Sequence, residues 1–170
     1  AKWTPISYTV KFNANGGSGT MANLAMTYGT AKTLTANAFT RTGYTFLGYY
    51  AAKTGGVLII ESDGDIATAT GFGSRDVTLY ARWQANQYSL SFDGGGEIAS
   101  KTVTFGAAVG ALPSVAPPPG ALFKSWAIDG LSISATTIWT WPEDKTATVL
   151  WEHAFGDVVD YFGLGSATLI

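Results

Sequence analysis

The chain has 170 residues, of which 13% are charged and 14% aromatic, and its formal net charge at pH 7 is −2. This balance gives no electrostatic reason to expect nucleic acid or an anionic membrane surface as a partner. Cysteine is absent, which excludes disulfides, thiolate zinc sites and a cysteine nucleophile, and no apolar run approaches the roughly 20 residues of a membrane-spanning helix.

The chain contains two copies of one pattern, and each copy opens on an alternating strand that runs into a glycine-rich turn. The strand and turn are residues 8–12 and 13–17 in the first copy, and residues 88–92 and 93–96 in the second. A second alternating run follows in each copy and ends on an aromatic-glycine pair, Tyr28-Gly29 or Phe105-Gly106. We predict that this run forms a hairpin with the first strand.

A third phrase places glycine and two aromatic residues at identical spacing, in residues 43–49 and 120–126. Phe46 and Tyr49 are an odd number of residues apart, so they cannot share one side of a regular strand, and we predict a bulge at Gly48 or a bend. Each copy closes on an apolar strand. Aligning these strands by their apolar residues puts Trp83 opposite His153, and the second copy would then lack the terminal tryptophan.

The repeat predicts the domain boundaries. Ala1-Lys2-Trp3 resembles Ala81-Arg82-Trp83, so we expect residues 1–7 to be the end of an upstream repeat or a linker; the alternative is that Ala1 is a mature terminus left by methionine removal. We expect a first domain over 8–83, a short linker over 84–87, and a second, divergent domain over 88–152. The linker lacks glycine and proline and predicts a stiff rod. Residues 153–170 are a tail or the start of another domain.

The phrases FNANGG, RTGYTFLGY and TLYARW, in this order and spacing, resemble the Listeria–Bacteroides repeat, also called the internalin B-repeat family. The resemblance covers residues 8–83 closely and 88–152 more loosely. It implies a small β-grasp-like unit that occurs in tandem in bacterial surface and secreted proteins, serves as a spacer or adhesion module, and has no enzymatic activity. The residues by themselves predict only a mostly-β unit, α+β at most.

No group of residues predicts a catalytic, cofactor or metal site. Residues 95–102 have the outline of a phosphate-binding loop, but Ser100 stands where its second glycine belongs and a strand pattern follows, so we expect a turn. Three carboxylates alternate around Gly64 and provide too few oxygens for calcium. His153 is the only histidine, and no serine near it in sequence forms a nucleophile pattern. The three carboxylates that alternate around Gly64 are Glu61, Asp63 and Asp65. The other acidic residues considered, none of which lies among apolar residues that would raise its affinity for a proton, are Glu143, Asp144, Asp157 and Asp160.

Trp139 and Trp141 are the candidate contact residues. They alternate with Thr140 and therefore point to one face of a strand. Flat aromatic rings on one face can stack on a sugar or a partner protein, but a small core uses paired tryptophans equally well. We favour the core and keep both residues as possible ligand or partner contacts.

These observations predict a non-enzymatic, extracellular module without a cofactor, which holds other domains away from a bacterial cell surface or adds adhesion. The expected partners are neighbouring repeats of the same chain and a protein or glycan bound weakly or multivalently, with no direct membrane insertion. Two alternatives stay open. One is a structural virion component, such as a decoration or fibre protein, and the other is a carbohydrate-binding module.

Overall fold

The computed structural model describes residues 2–30, 32, 36–63 and 74–153. These residues form ten strands and, over the ranges just given, no helix, which confirms the mostly-β prediction. The chain divides into two compact units, residues 1–86 and 87–170. Each unit contains one five-stranded sheet.

The sheet of the first unit places the first and last strands of the unit side by side at its centre. Its order is β2-β1-β5-β3-β4. Strand β1 pairs parallel to β5, whereas every other neighbouring pair is antiparallel. The strands are β1 (Ser7–Asn13), β2 (Leu24–Thr27), β3 (Tyr44–Tyr50), β4 (Leu58–Glu61) and β5 (Val77–Ala85).

The sheet of the second unit has the same topology. Its order is β7-β6-β10-β8-β9, and the parallel pair is again formed by the first and last strands, β6 and β10. The hairpin predicted after each glycine-rich turn is present in both units. This mixed order fits the β-grasp-like unit that the resemblance implies. The strands are β6 (Gln87–Asp93), β7 (Lys101–Thr104), β8 (Ala121–Ile128), β9 (Leu131–Ile133) and β10 (Lys145–His153).

The strand register shows that the second unit does have the terminal tryptophan. Trp83 pairs with Phe46, and Trp151 pairs with Phe123 in the same way. The alignment of Trp83 with His153 was therefore wrong, because His153 pairs with Ala121 at the end of the strand. The apolar pattern misled the alignment since β5 begins with a valine whereas β10 begins with a lysine that forms ion pairs.

The predicted bulge is present at Gly48. The pairing of β3 with β5 shifts between Phe46 and Gly48, so that Leu47 has no opposite residue. Gly48 has a φ of +126°, and a Cβ atom there would lie 2.4 Å from the carbonyl oxygen of Ile60. The second unit has the equivalent shift on β8, where Lys124 is the extra residue and a serine, Ser125, follows it.

One face of each sheet carries the core, and a row of four contacting aromatic rings begins in the core and extends to its edge. Successive centroids in the first unit are 5.0, 5.0 and 5.6 Å apart, and in the second unit 5.0, 6.2 and 6.2 Å. We call these two sets the aromatic chains. Their members in order are Phe12, Tyr49, Phe46 and Trp83, and Phe92, Trp126, Phe123 and Trp151.

Two aromatic residues of the repeated phrases are exposed. Tyr28 is 61% exposed because it lies in the turn that follows β2. Phe123 is 41% exposed although its ring contacts two tryptophans. Its neighbour in the strand is the extra residue of the bulge, which shifts the local register.

The linker expected at 84–87 is mostly strand. Strand β5 continues to Ala85 and β6 begins at Gln87, so only Asn86 lies between them. Over the described part of the chain, no helix has the length and apolar character needed to cross a membrane.

Candidate binding groove of the second unit

The two tryptophans singled out from the sequence belong to the core. Trp139 is 0% exposed, and its ring centroid lies 5.2 Å from that of Trp141. The backbone of Trp139 also bonds to the segment after β7, since Gly106 donates to its carbonyl and its own N–H donates to Ala107. Trp139 has no ring face free for a ligand. Trp141 is half-buried, and a role for it in ligand contact stays a prediction.

The segment with the outline of a phosphate loop has a structural role. Strand β7 begins at Lys101 where a phosphate loop would open a helix. The Lys101 ammonium donates to the carbonyl oxygens of Val109 and Ala111, at 2.7 and 2.8 Å. This lysine therefore fixes the segment that connects β7 to β8.

Four acidic residues of the described chain pair with backbone or lysine groups. Among the described residues no three metal-ligating side chains come together; Asp65, Asp157 and Asp160 lie outside these residues. Glu143 and Asp129 both pair with Lys145, at 2.8 and 3.0 Å. The hydrogen bond to Glu143, with a smaller contribution from Asp129, raises the pKa of Lys145.

Asp76 and Asp144 have equivalent positions that the sequence reasoning missed. Each lies directly before the last strand of its unit. The Asp76 carboxylate accepts the N–H of Thr9 at 2.7 Å, and the Asp144 carboxylate accepts the N–H of Ser89 at 2.8 Å. Both tie the last strand to the first. His153 is exposed at the end of β10, where no arrangement for acid-base catalysis is visible among the described residues.

The second unit has an open groove beside β8 and β9. Its volume is about 740 Å³, within the usual range for ligand sites. One wall is the segment that leads towards β8, and the other walls are β8, β9 and the residue after β9. We call it the Ser/Lys groove. Its lining residues are Leu112, Pro113, Ser114, Val115, Phe123, Lys124, Ser125, Trp126, Ser132, Ile133 and Ser134.

Trp126 fixes the groove from below. Its side chain is almost fully buried, and its indole N–H donates to the carbonyl oxygen of Pro113 at 2.8 Å. Pro113 belongs to the opposite wall, so this bond sets the distance between the wall and the sheet. Proline in that wall limits its backbone freedom further. The groove is thus formed by ordered elements.

The lining combines apolar groups, hydroxyls and one cation. Ser125 and Ser132 lie on neighbouring strands with their hydroxyl oxygens 3.0 Å apart. Lys124 is exposed, and no carboxylate lines the groove. The arrangement can hold a small ligand that offers an apolar face, hydroxyl groups and a negative charge.

Sequence reasoning missed this groove, although a signal was present. The dipeptide Leu47-Gly48 of the first copy is replaced by Lys124-Ser125 in the second. A cation and a hydroxyl at a predicted bulge mark a change of surface chemistry on a shared framework. The volume beside them depends on the path of residues 112–115, which no local pattern predicts.

Comparison with known proteins identifies relatives of both units. Residues 8–82 match the family model of the Listeria-Bacteroides repeat domain. A predicted Gly-rich membrane protein of Evansella cellulosilytica is 34% identical over 151 residues, which are 88% of this chain and 16% of that protein. An alignment of that length must extend over both units.

Two other relatives have similar identities. A second predicted membrane protein of Evansella cellulosilytica is 32% identical over 139 residues, 79% of this chain and 19% of the relative. Internalin H of Listeria monocytogenes is 33% identical over 117 residues, 69% of this chain and 17% of the relative. The chain therefore spans less than a fifth of the length of each of these proteins.

Proposed function

Because residues 8–82 make this chain a member of the Listeria-Bacteroides repeat family, we propose that it is a non-enzymatic module of a bacterial cell-surface protein. Its role is to present other domains away from the surface and to add weak, multivalent adhesion. The names of the relatives, an internalin and two predicted membrane proteins, support a location at the cell surface.

The observation that carries this proposal is the direct succession of two units with one topology. Both sheets have the same strand order and the same parallel central pair, and one residue separates β5 from β6. Repeated units of this kind suit a spacer, and several copies of a weak site raise the effective affinity without a stronger contact.

The adhesive role is tested with beads that carry many copies of the chain. Beads coated densely with the 170-residue chain are allowed to settle on a glycoprotein-coated surface and on the same surface after enzymatic removal of its glycans. We expect that retention falls steeply as the coating density is lowered, and that the soluble chain inhibits only at high concentration. Retention no greater than that of beads coated with an unrelated protein of equal charge would exclude the adhesive role.

A further inference from the structure

We propose that the Ser/Lys groove binds a short anionic saccharide. Lys124 contacts the acidic group, Phe123 packs against the apolar face of a sugar ring, and the serines meet the ring hydroxyls. The inference deepens the proposed adhesive function, on which its biological meaning rests.

The charge of Lys124 is the first support. The second unit has three lysines and no arginine, and two of the lysines are engaged. Lys101 donates to two carbonyl oxygens, and Lys145 pairs with two carboxylates. Among the described residues of this unit, Lys124 is the lysine that has neither kind of contact. A lysine left in this state attracts an anion from solution, since it is a compact, mobile point charge.

The bulge accounts for the position of Lys124. As the extra residue on β8 it has no opposite residue on β10, so no side chain directly across the strand pair competes for its ammonium group. The groove beside it has no acidic lining residue. A negatively charged ligand therefore enters without repulsion from the walls, and the lysine ammonium can donate to a carboxylate or to a phosphate.

The remaining lining matches a sugar better than an acidic peptide. A pyranose ring has an apolar face of C–H groups and a rim of hydroxyls. The partly exposed ring of Phe123 is held edge-on by Trp126 and Trp151, at 6.2 Å from each, and is ready for such a face. Ser114, Ser125 and Ser132 carry hydroxyls that both donate and accept hydrogen bonds, as sugar hydroxyls do.

The test is a titration of the 170-residue chain followed by the indole N–H signals of its tryptophans in NMR spectra. The probes are 3′-sialyllactose, which has a carboxylate, glucose 1-phosphate, which has a phosphate, and neutral lactose. We expect saturable shifts of the Trp126 signal with the two anionic sugars, because its N–H bonds to the groove wall. The Trp83 signal of the first unit is the internal reference and should stay in place.

Lys124→Gln is the main variant, with Lys11→Gln on β1 of the first unit as a control of equal charge change. Lys124→Gln should weaken anionic sugars about three- to fivefold, the usual size of an exposed ion pair, and should remove the weakening by added salt. Lys11→Gln should have no effect. Phe123→Leu should weaken every sugar that binds, and unchanged Trp139 and Trp141 signals in the free protein would show that the fold is retained, since these two rings pack on each other and not on Phe123.

Each outcome decides one part of the inference. Equal binding of lactose and the anionic sugars, unchanged by Lys124→Gln, would overturn the role of Lys124. Shifts caused by an acetylated acidic peptide but by no sugar would overturn the saccharide. Absence of any shift up to the solubility of the probes would overturn the site. In that last case, bead retention that persists after glycan removal would leave the adhesive function standing.

Discussion

The two units share one sheet topology but use different hydrogen bonds to hold a connecting segment against the core. In the first, the core aromatic of β3 is Tyr49, whose hydroxyl donates to the side chain of Asn37 at 2.9 Å. In the second, the equivalent residue of β8 is Trp126, whose indole N–H donates to the backbone of Pro113. Both contacts tie the segment that crosses the sheet to the centre of the core. Both units therefore place a hydrogen-bond donor of an aromatic side chain at this core position. The donor is a tyrosine O–H in the first unit and a tryptophan N–H in the second.

The turns between the third and fourth strands differ more. In the first unit, Asn15 donates to Lys53 and Ala81, and Arg82 donates to Ala52 and Gly55, so side chains from other elements hold a long turn. In the second unit, the turn is Asp129-Gly130, both with positive φ. Such a two-residue turn needs little outside support. The comparison shows that the sheet topology is preserved while each unit has its own peripheral contacts.

The largest predicted effect concerns the independence of the two cores. Trp126→Ala removes the central ring of the second aromatic chain and should cost the second unit about 3–5 kcal/mol of unfolding free energy. We expect its NMR signals to collapse while those of the first unit remain dispersed. Tyr49→Ala should give the reverse pattern. Loss of both sets of signals in either variant would mean that the units fold as one.

The bulges provide a matched pair of smaller changes. Gly48→Ala should destabilise the first unit by roughly 2 kcal/mol, since the positive φ and the close carbonyl of Ile60 both oppose a Cβ atom. Ser125→Ala, at the equivalent place in the second unit, should cost less than about 0.5 kcal/mol. Urea unfolding measures both. Similar costs at the two positions would contradict the difference between the bulges.

The pH dependence of the first unit is the smallest effect. Burial raises the pKa of Tyr49 from 10.0 to about 12. The folded state therefore favours the neutral phenol of Tyr49. The contribution of this phenol to the stability of the first unit is complete below pH 10, and it is lost as the pH rises from 10 to 12, because the unfolded chain ionises first. The wild-type chain should therefore lose about 1 kcal/mol more than Tyr49→Phe between pH 9 and pH 11.

Urea titrations of both proteins at the two pH values measure this difference. Tyr49→Phe keeps the ring and its packing while it removes the ionisation, which makes it the matched control. The second unit of either protein should show no such difference. Parallel pH profiles for the first unit of the two proteins would exclude Tyr49 as the group responsible.

Local patterns in the sequence were sufficient for the strands of the repeated phrases, the hairpins and the bulge, but they did not predict β4 or β9. Alternation predicted β1, β2, β6 and β7, because side chains on one face of a strand recur every second residue. The odd spacing of Phe46 and Tyr49 predicted the irregularity at Gly48. The repeat itself predicted that both halves have one topology, and the strand orders agree.

The same patterns failed where a position is shared but its chemistry changes. The first residue of the closing strand is Val77 in one unit and Lys145 in the other, so an alignment based on apolar residues slipped and paired Trp83 with His153. The alternation of Trp139 with Thr140 predicted one face of a strand, but Trp139 and Trp141 lie between β9 and β10 and not in a strand. The alternation also could not assign Trp139 to core or surface, because either face fits it. Its side chain is buried in the core of the second unit, and its backbone bonds to residues 106 and 107, which lie far away in sequence.

The sequence by itself determined the repeated sheet, its turns and the resemblance of residues 8–82 to the repeat family, since these depend on the spacing of apolar residues and glycines within short segments. Only the tertiary structure decided which residues reach a ligand. The Ser/Lys groove brings together residues 112–115, 123–126 and 132–134. The distances between these segments are set by a tryptophan hydrogen bond and a strand register, and both exist only after the chain has folded.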